Sequence, residues 1–189
     1  MIRYRSASLS LLILLLLSTP VVGRAGTPKK PGAAASRAAS SPPERLGSAE
    51  KWTAYTYREK TGKVCYVGAE PSKRDPAGAN RKRSVAMVTH RPGEKVANVV
   101  SFAMGSALKE GSDVALDVGG AKFDLFTKGD SAWARTSELD RTIVEAMAKA
   151  KDAVVKGTPR KGPPMTDTYS LAGFAAMLAL IDKACDVRR

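Results

Sequence analysis

The chain has 189 residues, with 31 Lys and Arg against 18 Asp and Glu, two cysteines and one histidine. That length holds one domain with a substantial core and leaves little room for a second. The net charge of +13 divides into +2 before Arg24, +4 from Arg24 to Gly47 and +7 beyond, so it is spread through the chain and does not form a nucleic-acid-binding tail.

In chain order, Met1-Ile-Arg-Tyr-Arg carries two positive charges, Leu11 to Leu17 is an unbroken apolar run, and small residues surround Pro20 to Ala25. These match the three regions of a secretory signal peptide, residues 1–25, with cleavage after Gly23 or Ala25. The apolar stretch from Leu9 to Val22 is 14 residues, interrupted by Ser10, Ser18, Thr19 and Pro20, whereas a bilayer span takes about 20. The first cysteine, Cys65, is too far along to accept a lipid beside that run. The expectation is a soluble, periplasmic or secreted protein that is not an integral membrane protein. Residues 26–48 are mostly Ala, Ser, Pro, Gly, Lys and Arg, with Leu46 the only large apolar side chain, which reads as a disordered tether.

Residues 49–189 read as a single β-rich globular domain. From Trp52 to Trp133 short runs rich in Val, Phe, Tyr and Trp alternate with turn residues, as in an antiparallel β-sandwich. Trp52 to Arg58 pairs with Lys63 to Ala69 around Lys60-Thr61-Gly62. Ser84 to His90 pairs with Ala97 to Met104 through Arg91-Pro92-Gly93-Glu94, where Pro92 and Gly93 suit the centre of a type II turn. Val114, Leu116 and Val118 alternate with polar or small residues, Gly119-Gly120 makes a two-residue hairpin turn, and Phe123 and Leu125 resume the alternation.

The period then changes. Ser137 with Asp140 resembles a capping box, and Leu139, Ile143, Met147 and Ala150 predict an amphipathic helix over Glu138 to Lys151. A short strand is expected over Ala153 to Gly157, then the breaker segment Pro159 to Pro164. Leu171, Phe174, Leu178, Ile181 and Cys185 share one face of a last helix. The fold class is therefore mainly β, an antiparallel sandwich-like domain with two α-helices in its C-terminal part. Cys65 and Cys185, the only cysteines of an exported chain, are expected to form a disulfide.

Catalytic chemistry is poorly supplied. His90 stands alone at a strand end with no acid or serine at motif spacing, which points to a structural role. Asp113, Asp117, Asp124 and Asp130 lack the dense spacing of a calcium loop. With the cysteines paired, too few ligands remain for structural zinc, and no cofactor motif is present. An envelope hydrolase acting on glycan or peptide, with Trp133, Asp124 and Asp130 lining a groove, is the enzymatic alternative. The densest basic cluster, Lys73, Arg74, Arg81, Lys82 and Arg83, lies among Pro71, Pro76, Gly78 and Asn80 and is a candidate anion-binding loop. Outside the cytoplasm its partners would be anionic envelope lipid or polysaccharide, or an envelope protein, rather than nucleic acid. Trp52, Tyr55, Tyr57, Phe102, Phe123, Phe126 and Trp133 have core packing as their default role and a ligand groove as the alternative.

Trp52 at the domain start, Cys65-Tyr66, Val88-Thr89-His90-Arg91-Pro92, Phe123-Asp124-Leu125-Phe126 with Ala132-Trp133, and Asp167-Thr168-Tyr169-Ser170-Leu171-x-Gly173-Phe174 ending at Cys185 resemble the invasion-associated locus B family of exported alphaproteobacterial proteins. The resemblance covers about Glu50 to Cys185. It implies a β-sandwich-like envelope domain without enzymatic activity, a binding or structural module in envelope integrity or host association. Longer members carry additional cysteines, so this chain falls in a two-cysteine branch.

Overall fold

The computed structural model describes residues 42–77 and 81–189. The expected signal peptide and residues 26–41 of the expected tether lie outside them. The described residues hold eleven strands: β1 (Glu44–Ala49), β2 (Trp52–Glu59), β3 (Gly62–Ala69), β4 (Lys73–Asp75), β5 (Val85–Arg91), β6 (Val96–Ala103), β7 (Asp113–Val118), β8 (Ala121–Lys128), β9 (Ser131–Trp133), β10 (Asp152–Gly157) and β11 (Met165–Ser170). Two α-helices accompany them, α1 (Ser137–Met147) and α2 (Phe174–Cys185).

The strands form one antiparallel sheet in the order β1-β2-β3-β5-β6-β9-β8-β7-β10-β11-β4. Four strands separate β6 from β11, which would be about 24 Å across a flat sheet. Yet the rings of Phe102 on β6 and Tyr169 on β11 lie 5.7 Å apart, and Trp52 Nε1 on β2 donates to the Ser170 carbonyl at 2.8 Å. The sheet therefore bends over itself into two layers, the sandwich-like arrangement expected. Its inner side is filled by Trp52, Phe102, Leu116, Leu125, Val155 and Tyr169, all essentially inaccessible to solvent.

Local signals position most of the strands. The β7–β8 hairpin turns on Gly119 and Gly120, with φ of 57° and 94°, the left-handed pair a type I′ turn requires. The Pro92–Gly93 turn differs from expectation: Pro92–Glu94 is a 3-10 turn, and Lys95 carries the positive φ of 57°. Gly93 is required for closeness instead, because a Cβ there would sit 1.7 Å from the Thr61 carbonyl oxygen. The sheet also starts at Glu44, inside the segment read as tether: β1 pairs with β2 from Glu44 opposite Thr56 to Ala49 opposite Trp52. Strands β4, β9 and β11 are further additions, and β11 occupies Met165–Ser170 just after the breaker segment.

The first helix begins at Ser137, one residue earlier than expected, and ends at Met147 rather than Lys151. Thr136 is the N-cap and its hydroxyl accepts from the Leu139 N–H. Asp140 reaches instead into the sheet, where its Oδ1 accepts from the Val100 N–H at 2.7 Å. The second helix packs on β1, β2, β3 and β5, with Phe174 edge-on to Trp52 at 4.7 Å between ring centroids. Its C-terminal end is held twice: Lys63 Nζ donates to the Ala184 carbonyl at 3.0 Å, and Cys185 is bonded to Cys65 on β3.

Candidate functional site

Helix α2 closes the inner face of β2, β3 and β5, and the outer face of the same strands carries an open concavity. Successive side chains on a strand point to opposite faces. As Trp52 and Ala54 turn inward, Thr53, Tyr55 and Tyr57 turn outward; as Val67 and Ala69 turn inward, Tyr66 and Gly68 turn outward. Tyr55 and Tyr66 are direct register partners, and their rings stack 5.1 Å apart at 18°. Tyr57 meets Tyr66 edge-on at 6.0 Å. All three are only half-buried, unlike the core aromatics.

Beside this tyrosine cluster runs an open groove of about 670 Å³, floored by Tyr55, Tyr66, Gly68 and Met87, within the usual size of small-ligand clefts. The missing side chain at Gly68 keeps the floor low: a Cβ there would stand 3.4 Å from both Ala86 O and Met87 Cγ. Exposed Glu50, Lys51, Glu70 and Arg83 line its borders, two acids against two bases, and Arg83 is paired with Glu70. Burial raises the Tyr66 hydroxyl above its ordinary pKa, reinforced by the neighbouring Tyr55 and Tyr57. The Tyr66 hydroxyl therefore stays neutral, able to donate and accept hydrogen bonds.

The candidate anion-binding residues sit in different environments. The Arg81 side chain is buried and makes a bidentate pair with fully buried Asp167, Nη2 to Oδ1 at 2.7 Å and Nη1 to Oδ2 at 3.2 Å. Its Nη1 also donates to the Met104 carbonyl at 3.3 Å. Arg74 is half-buried, donates to the Lys82 carbonyl at 2.8 Å and lies 4.0 Å from the same Asp167 carboxylate. Lys73, Lys82 and Arg83 are exposed. The Arg81–Asp167 pair was not visible in sequence; an acidic residue at an inward position of an alternating segment, Met165-Thr166-Asp167-Thr168-Tyr169, is the signal that marks it.

His90 is fully buried. The Asn98 N–H donates to its Nδ1 at 2.9 Å, so the ring proton sits on Nε2, 2.9 Å from Asp182 Oδ1. Arg189 holds the other side of Asp182 and reaches Asn98 Oδ1. This network joins β5, β6 and α2.

The acids named for a hydrolase are dispersed. Asp124 is exposed on β8 beside Lys122 and Asp117, around a hollow of about 200 Å³. Asp130 is exposed in the β8–β9 turn and accepts from Ser131 Oγ, while the Trp133 Nε1 is buried. Asp113 pairs with Arg135, and Asp117 accepts from the Gly120 N–H in the hairpin turn. Among the described residues no group of three or more His, Cys, Asp or Glu side chains is placed to hold a metal ion. No helix among them is long and apolar enough to cross a membrane.

The family-resembling segment Asp167–Phe174 is architectural. Asp167 neutralises Arg81, Tyr169 packs on Phe102, the Ser170 carbonyl accepts from Trp52 and Phe174 meets Trp52. Comparison with known proteins agrees with these landmarks. The chain is similar in fold to the crystal structure of invasion associated protein B from Bartonella henselae, with a TM-score of 0.53 and 16% identity, covering 76% of this chain and 99% of that one. No curated protein matches in sequence. The model of the invasion associated locus B (IalB) protein family matches residues 52–182, from the Trp52 of β2 to the Asp182 that holds His90. The chain belongs to the invasion associated locus B (IalB) protein family.

Proposed function

We propose that the protein is an exported, non-catalytic envelope module that binds its partner through the outer face of β2, β3 and β5, in envelope integrity or host association. The observation that carries this reading is the open groove of about 670 Å³ over Tyr55 and Tyr66, on the face opposite the one that α2 covers. Tyrosines left half-exposed on a sheet face supply rigid, amphipathic contact area, which is why they are enriched at binding surfaces. Family membership and a Cys65–Cys185 bond, suited to an oxidising compartment, support the extracytoplasmic setting.

The test is crosslinking in periplasmic extract with wild type, a Tyr55→Ala/Tyr66→Ala variant and a Lys156→Ala control on the distant hollow. A species captured by wild type and control but lost from the tyrosine variant is the expected result. Capture that all three share counts against the groove. A second reading places anionic lipid or polysaccharide on the exposed cations Lys73, Lys82 and Arg83. Reversing Lys73 and Lys82, with Arg74 and Arg81 left intact because Asp167 engages them and Arg83 because it borders the groove, would then remove a salt-sensitive species while the tyrosine variant retains it.

A further inference from the structure

We propose that the tyrosine groove takes an uncharged saccharide chain. This deepens the proposed function and rests on it. Three observations select the ligand. First, the floor is aromatic but not greasy: Tyr55 and Tyr66, stacked on each other, leave half-buried ring surface at the groove, and the Tyr66 hydroxyl there is neutral. A pyranose has the matching character, with C–H groups on its faces and hydroxyls around its edge.

Second, the groove borders carry two acids and two bases within a domain whose charge is otherwise strongly positive. The groove border is thus electrically balanced, which suits a polyhydroxylated neutral ligand better than an anionic lipid headgroup. Third, β3 is hydrogen-bonded to β2 on one side and β5 on the other. Its backbone groups are consumed, so an extended peptide finds no free strand edge at the floor. Recognition there must come from side chains, and a sugar is read by aromatic faces and hydroxyls.

Gly68 makes the inference testable, since a side chain there rises into the groove at ordinary contact distance from Ala86 and Met87. The full chain, disulfide intact, is titrated calorimetrically with tetramers of N-acetylglucosamine and of glucose, and with heparin as an anionic control. Saturable binding of at least one tetramer, little changed between low and high salt, is expected. Tyr66→Ala and Gly68→Val should each weaken it about tenfold, the size of one lost aromatic contact. Tyr66→Phe, which keeps the ring and the fold, should retain it within about threefold.

Absence of saturable binding to both tetramers overturns the inference, as does binding indifferent to Gly68→Val and Tyr66→Ala, or binding that follows heparin in its loss at high salt. If the tetramers fail while crosslinking through the tyrosines persists, the saccharide assignment falls and the proposed binding face stands. If both fail, both fall.

Discussion

His90 and Asp140 are buried titratable groups whose positions set opposite pH dependences. Burial lowers the His90 pKa below its ordinary 6.5, the hydrogen bond and charge of Asp182 opposing this only in part. The folded state thus favours the neutral ring, whose Nδ1 accepts from Asn98. The resulting stabilisation is complete above the unfolded pKa near 6.5 and is lost as pH falls through the folded value. For Asp140, burial raises the pKa from 3.8 to about 6 against the opposing Val100 hydrogen bond. Its contribution is complete below the unfolded value near 3.8 and is lost as pH rises through about 6. In melting curves from pH 8 to 4, the deficit of His90→Gln relative to wild type should shrink as pH falls below 6.5. Asp140→Asn should instead lose ground to wild type as pH falls through 6. Profiles parallel to wild type would contradict these assignments.

Helix α1 shows how one residue of phase changes an element's anchoring. Ser137 with Asp140 has the spacing of a capping box, yet Thr136 provides the cap and Asp140 bonds to β6. A local motif supplies two candidate hydroxyls, one residue apart; docking against β6 and β7 selects between them by turning Asp140 toward the Val100 N–H. Thr136→Ala should therefore cost about 1 kcal/mol, while Ser137→Ala stays within about 0.5 kcal/mol. Urea unfolding of both variants checks the assignment, and a larger loss for Ser137→Ala would restore the capping box. The same logic separates the legible strands from the rest. Strands β2, β3, β5, β6, β7 and β8 carry mostly apolar residues at their inward positions next to a nearby hairpin partner. Strand β1 offers Leu46 and small residues, and its pairing depends on β2 and on the cover of α2. Strand β11 places Asp167 on its inner side, which is tolerable only beside Arg81, 86 residues earlier.

At the scale of the whole molecule, the Cys65–Cys185 bond joins β3 to the last turn of α2, with Cα atoms 6.1 Å apart and a sequence separation of 120. In the chain-entropy model a loop of that length confers about 5 kcal/mol, an upper figure for most proteins. The Cys65→Ala/Cys185→Ala variant should melt about 10 °C lower than wild type. Phe174, Leu178 and Ile181 should still seat α2, because they remain buried against the sheet. Reductant should lower the wild-type melting temperature comparably and leave the variant unchanged; equal melting temperatures in all four conditions would show that the bond is dispensable.

The sequence by itself determined the mainly β class, the two helices, the central hairpins and the cysteine pairing. Each of these follows from a local period, a turn residue, or a count that admits one partner. Only the tertiary structure decided that the sheet bends until β11 lies against β6, that Arg81 is committed to Asp167, and that α2 covers one face of β2, β3 and β5 while the tyrosines keep the other. The outward alternation of Tyr55, Tyr57 and Tyr66 is identical in sequence whether their face meets solvent or a second layer. Which of the two it meets is set by contacts between residues far apart in the chain, and a local pattern carries no information about them.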